Sequence, residues 1–188
     1  ARAPVPGTET MSAGASRGKG KSGISARSAA RVAAVQGLYQ MDMAQTDLNA
    51  VVEQFTEHRF AAKGAEPGGE AGAAGEGGVD ELVSGADRTF FGELLRGVVR
   101  RQRDIDPLVD QQLATGWRLV RVDAILRAIL RAGGVELMEM PDVPPRVVIS
   151  EYVEVANAFF EGDEPRVVNG VLDQLARKLR PGELPERG

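Results

Sequence analysis

Apolar residues along the chain recur at helical spacing in seven stretches, and no stretch shows the sustained alternation that marks strands bounded by hairpin turns. Ser25 is placed to cap a first helix to about Met43, with Val32, Val35, Leu38 and Tyr39 on one stripe. A second, from about Leu48 to Phe60, offers Leu48, Val51, Val52 and Phe55 to a core. Ser84 and Asp87 make a capping-box-like start for a third, carrying Phe90, Phe91, Leu94, Leu95 and Val98. Asp106 before Pro107 reads as N-cap and first residue of a short fourth helix through Leu113. The fifth, Leu119 to Met138, is the most apolar, so the pattern makes it the buried central one. Its Gly133 and Gly134 predict close approach of a neighbouring helix. Pro145 opens a sixth helix through about Phe160, and Asp163 with Pro165 starts a seventh that ends near Leu179 at Pro181. The fold class predicted is all-α.

Two segments fall outside this periodicity. Residues 1–23 are rich in Gly, Ala, Ser and Pro and are expected to be a disordered arm, in which Met11 is a candidate translational start. Residues 63–80 read as a flexible Gly-rich linker, and 181–188 as a C-terminal tail. The arm changes the picture through its charge. Residues 1–31 hold Arg2, Arg17, Lys19, Lys21, Arg27 and Arg31 against Glu9, a surplus of five, so at −4 overall the remainder carries −9. A basic arm ahead of an acidic body is the footprint of local, oriented phosphate binding, since Lys and Arg on phosphates release counterions. Arg27 and Arg31 lie one turn apart near a helix start, where basic residues oppose the helix dipole and a bound phosphate would relieve the conflict. The alternative for any one such pair is a pair of ordinary solvated arginines.

Chemistry other than binding finds little support. The chain has no Cys and one His, His58, which removes thiolate nucleophiles, disulfides and most zinc cages, so no metal or cofactor is expected. Glu151 and Glu154 share a helix at i, i+3 and read as a solvated face, not an acid/base pair. GKGKS at residues 18–22 misses the phosphate-loop pattern because position 15 is Ala where the spacing demands Gly. No apolar run approaches the roughly 18 residues of a membrane span, and no secretory signal stands at the N-terminus, so a soluble, cytoplasmic protein is expected.

Three segments together resemble one family. ARSAARVAAVQGLYQMD at residues 26–42 is similar to the signature Arg-x-x-Ala-Arg-x-x-Ala-x-Gln-x-Leu-Tyr, FFGELLRGV at 90–98 to a second helical block, and VVISEYVEVANAFFEGDEPRVVNGVLD at 147–173 to a C-terminal block. In this order, across residues 24–180, they resemble the NusB transcription antitermination factors. The resemblance implies two stacked helical subdomains and no catalysis. It further implies binding of boxA-type single-stranded RNA in ribosomal RNA leader transcripts, together with the small-subunit ribosomal protein that acts as NusE, within an RNA polymerase antitermination complex. Carried over by position, Arg27 and Arg31 are the foremost RNA residues. Tyr39 also matches but lies on the apolar stripe, and Asn169 reads as structural. Ser28 and Ala29 stand where relatives continue a run of arginines, so Lys19 and Lys21, with Arg17, are expected to compensate from the arm. Val167 replaces a frequent Phe, removing a stacking surface, and the linker is longer than usual. A protein-interaction module with little RNA specificity of its own is the alternative. The related helical domain fused to ribosomal RNA methyltransferases is a remote one, since no methyl-donor half follows here.

Overall fold

The computed structural model describes residues 24–60 and 82–186. The expected arm, the whole Gly-rich linker and the last two residues of the tail lie outside the described residues. Six α-helices are complete within them: α1 (Ala26–Ala44), α2 (Leu48–Gln54), α3 (Arg88–Asp110), α4 (Ala124–Glu139), α5 (Pro145–Phe159) and α6 (Glu164–Leu179). No strand occurs among the described residues, as the periodicity predicts.

Local chemistry sets the boundaries. Ser25 Oγ accepts from the Ser28 N–H at 3.0 Å, Asp87 from Phe90 and Asp123 from Ile125 and Leu126, each satisfying orphan donors of a first turn. Pro145 opens α5. Asp163 takes the N-cap position of α6 without a capping bond and pairs with Arg166 instead.

Three boundaries differ from the pattern. The fifth helix, expected from Leu119, begins only at Ala124: Leu119–Arg121 is a 3-10 turn, Val122 is extended, and Asp123 caps the helix by accepting from the Ile125 and Leu126 N–H groups. The helix expected to begin at Pro107 is the last turn of α3, which runs unbroken to Asp110. The Asp106 carboxylate does not cap; both its oxygens accept from Arg131 of α4 at 2.8 Å, and that tertiary pair outweighs the local cap signal. The second helix turns π-helical over Phe55–Arg59, while Phe55 stacks on Phe91 with ring centroids 5.2 Å apart and Phe60 meets the same ring edge-on. Six α-helices with short π and 3-10 turns thus stand for the seven expected.

One continuous core joins two stacked halves, α1–α3 and α4–α6. The central helix is α4, which contacts α1, α3, α5 and α6. Its two glycines admit the neighbours: a Cβ on Gly133 would lie 2.8 Å from Leu172, and one on Gly134 2.8 Å from Ile105. At the far end of α6, the buried Arg180 donates to the carbonyls of Val143 and Pro141 and pairs with Glu183, closing the α4–α5 connection.

Candidate nucleic-acid interface

The two arginines expected to act together are separated by burial. Arg27, in the first turn of α1, is exposed, and its guanidinium lies 4.9 Å from the Phe90 ring centroid. Arg31 packs over the same ring at 5.0 Å but is only 3% exposed. Its Nε and Nη2 donate to Glu136 at 3.0 and 2.5 Å, and its Nη1 donates to Glu151 at 3.1 Å. Ser28 donates to the same Glu151 oxygen at 2.6 Å. Burial works against the charge on Arg31, yet the bond to Glu136 and the field of that carboxylate outweigh it and hold the guanidinium above its usual pKa. Arg31 therefore ties α1 to α4 and α5 from inside, and Glu151 is its partner instead of a solvated face. The Tyr152 hydroxyl is wholly buried beside this group, and burial first, then the Glu136 charge, holds it neutral well above the usual range.

Tyr39 lies three turns beyond Arg27, about 18 Å along the axis, and is 39% exposed next to the exposed Met43. It does not share a site with Arg27. Lys19 and Lys21 lie outside the described residues. Asn169 is exposed on α6, and His58 is exposed on the π turn. Among the described residues no cluster of His, Asp or Glu could hold a metal ion, and no helix is long and apolar enough to cross a membrane.

A second set of residues is brought together where periodicity gave no guide. Between α3 and α4 the chain forms a loop through Trp117, Arg118 and a 3-10 turn at Leu119–Arg121. With the start of α6 it borders a groove of about 420 Å³, into which Trp117, Arg118, Arg121, Leu126, Asp163 and Val167 project. Trp117 is the chain's single tryptophan and is 49% exposed. One oxygen of Glu164, on the acidic side, is buried without a hydrogen-bond partner.

The loop is held by side chains of three helices. Asp110, ending α3, accepts from the Leu119 N–H at 2.6 Å and pairs with Arg118 at 3.2 Å. Gly116 turns the chain at φ +88°, and Leu119 plugs into the core. From α4, Arg127 donates to the carbonyls of Leu119, Val120 and Val122 at 3.3–3.4 Å and pairs with Asp42 of α1 at 3.0 Å. Replacing Arg127 with Ala orphans those carbonyls and leaves the Asp42 carboxylate with Arg131 alone, at 3.6 Å. The expected results are a stability loss of about 1–2 kcal/mol and a drop in Trp117 fluorescence anisotropy, with the helical far-UV signal retained. An unchanged anisotropy would contradict the anchoring role.

An indole half in water that shares a groove with two guanidiniums can stack one base and neutralise adjoining phosphates, while the carboxylate oxygens of the same groove can accept from base amino groups. Val167 lines the same groove as Trp117. The sequence does carry a signal for this site, since TGWRLVR places a tryptophan and two arginines at the junction where the pattern expects the fifth helix to begin. Arg27 stands at the opposite end of α3, by its first turn, and the structure does not join it to the groove.

Comparison with known proteins follows the fold and adds the lineage. A family model described as the NusB family matches residues 28–177. The transcription antitermination protein NusB of Maricaulis maris is 52% identical over 157 residues, covering 84% of this chain and 89% of that protein. Its counterpart in Caulobacter vibrioides is 49% identical, covering 84% and 96%. Among solved structures, NusB of T. maritima superposes with a TM-score of 0.62 at 23% identity, covering 84% of this chain and 94% of that one. A chain in a crystal structure described as a plectonemic RNA supercoil gives 0.64 at 20% identity, covering 85% and 99%. At these identities the two structures speak for the fold.

Proposed function

The chain belongs to the NusB family of transcription antitermination proteins, which are not enzymes, and from that premise we propose that it binds a boxA-type single strand of ribosomal RNA leader transcripts. The proposal includes the small-subunit ribosomal protein that serves as NusE as a joint partner, RNA polymerase as the machine served, and the cytoplasm as the place. The observation that carries it is Trp117, exposed in one groove with Arg118 and Arg121 on a loop anchored by Asp110 and Arg127. Such an anchored loop loses little conformational freedom on binding, so stacking and charge contacts are retained as affinity. Arg27 adds an open guanidinium at the root of the basic arm, whose Lys19 and Lys21 are proposed as further phosphate contacts. Arg31 serves this surface by positioning α1, and Tyr39 is proposed at its rim.

A second reading, a module acting through its protein partner, draws on the exposed Tyr39 and Met43 of α1 and Val99 of α3. Labelled boxA-type RNA titrated with and without the ribosomal protein across a salt series separates the two. On the RNA reading, binding is sequence-specific and strengthened by the partner, and Arg27→Ala makes the log-log salt slope shallower by about 0.7, one phosphate on a single strand. Partner binding with weak RNA affinity, indifferent to sequence and to Arg27, would favour the second reading.

A further inference from the structure

The outer face of α3 carries positive charge that neither the core nor the groove uses. Arg96, Arg100 and Arg103 fall at i, i+4 and i+7, on the side opposite the buried Leu94, Val98 and Ile105. All three are exposed, and among the described residues Arg96 and Arg103 form no ion pair. Arg100 shares the single carboxylate of Glu139 with Arg101, which also reaches Asp104 at 3.3 Å. Burial raises the Glu139 pKa, but the bonds from the two arginines outweigh it and keep the carboxylate below its usual range. It therefore remains ionised, one negative charge between two positive ones. Two acids border the same outer face, Glu93 one turn before Arg96 and Asp104 one turn after Arg100. Gly92 leaves room for the Arg96 guanidinium to lie back along the helix, since a Cβ there would be 2.7 Å from Nη1.

The position of this stripe gives it meaning. Arg27 packs over Phe90 in the first turn of α3, and Arg118 pairs with Asp110, its last residue. The helix between them is about 35 Å long, and the three arginines occupy its middle. In a chain of net charge −4, guanidiniums held in a row on a rigid helix, two without an ion pair among the described residues and one sharing a carboxylate, suit a polyanion. We propose that Arg96, Arg100 and Arg103 form a phosphate track for RNA flanking the segment bound at the Trp117 groove, so that one strand runs along α3 between the groove and the root of the arm. The inference rests on the RNA reading above and extends it to sequence-independent contacts outside the recognised element.

The test compares the full chain with R96Q/R100Q/R103Q on two RNAs: a short boxA-type oligonucleotide, and the same element extended on both sides by unstructured nucleotides. The expected result is tighter binding of the extended RNA with a steeper salt slope. In the triple variant that gain disappears, the slope for extended RNA falls by about 2, from 0.7 for each of three phosphates, and binding of the short RNA and the helical far-UV signal are unchanged. A wild-type chain that gains nothing from the flanks, or a variant that keeps the gain, overturns the track while leaving the RNA reading intact. Loss of a protein partner with the RNA gain preserved overturns it in favour of a protein-docking face. Failure of wild type to bind even the short RNA would overturn both.

Discussion

Arg31→Met is expected to lower the free energy of unfolding by about 3–5 kcal/mol, because it strands the wholly buried Glu136 without its counter-charge. Charges in a medium of low polarity are tolerated only when paired and hydrogen-bonded, and Glu136 draws both of its bonds from Arg31. The double variant Arg31→Met/Glu136→Met removes both charges at similar volume, so it should recover most of the loss, within about 1–2 kcal/mol of wild type. Denaturant unfolding of the two variants checks this. A mild single variant, or a double variant no better than the single, would contradict the pairing. In the same experiment Arg27→Ala should leave stability within about 0.5 kcal/mol, which separates the open arginine from the buried one.

Trp117→Ala should weaken binding of boxA-type RNA by about 5- to 150-fold, the equivalent of roughly 1–3 kcal/mol for one stacked base. Trp117→Phe should retain much of the affinity, because a smaller π-face still stacks. Neither change should alter the salt slope, since stacking releases no counterions. Arg118→Gln/Arg121→Gln should do the reverse, making the slope shallower by about 1.4 if each arginine holds one phosphate. The two responses together identify the groove as a place where a base and its phosphates are held at once. Binding indifferent to both variants would remove the groove from the account.

The fold is legible in the sequence wherever apolar spacing and capping chemistry point the same way. Ser25, Asp87 and Pro145 start the helices that the pattern assigns to them, and the glycine pair of α4 marks a close approach. Asp106-Pro107 misleads because its strongest partner, Arg131, lies 25 residues away and is invisible to local pattern. Arg31 misleads for the same reason. On α1 the surrounding Ala29, Ala30, Ala33 and Ala34 let other helices approach on most sides, so an arginine one turn from an exposed one falls inside. Its partners, 105 and 120 residues distant, can be known only from the tertiary structure. Trp117 gives no periodic signal because it sits in a loop, and its significance comes from Arg127 and Asp110 anchoring that loop beside the groove that Val167 also lines.

A single tryptophan at the centre of the proposed interface gives the most direct test, a titration of intrinsic fluorescence with boxA-type RNA and with a scrambled RNA of equal length. The account predicts saturable quenching of Trp117 by the boxA sequence, weaker and more salt-sensitive quenching by the scrambled one, and the same affinity from fluorescence as from the labelled RNA. Specific binding seen through the labelled RNA while Trp117 emission stays unchanged would contradict the account, because the strand would then lie elsewhere on the molecule.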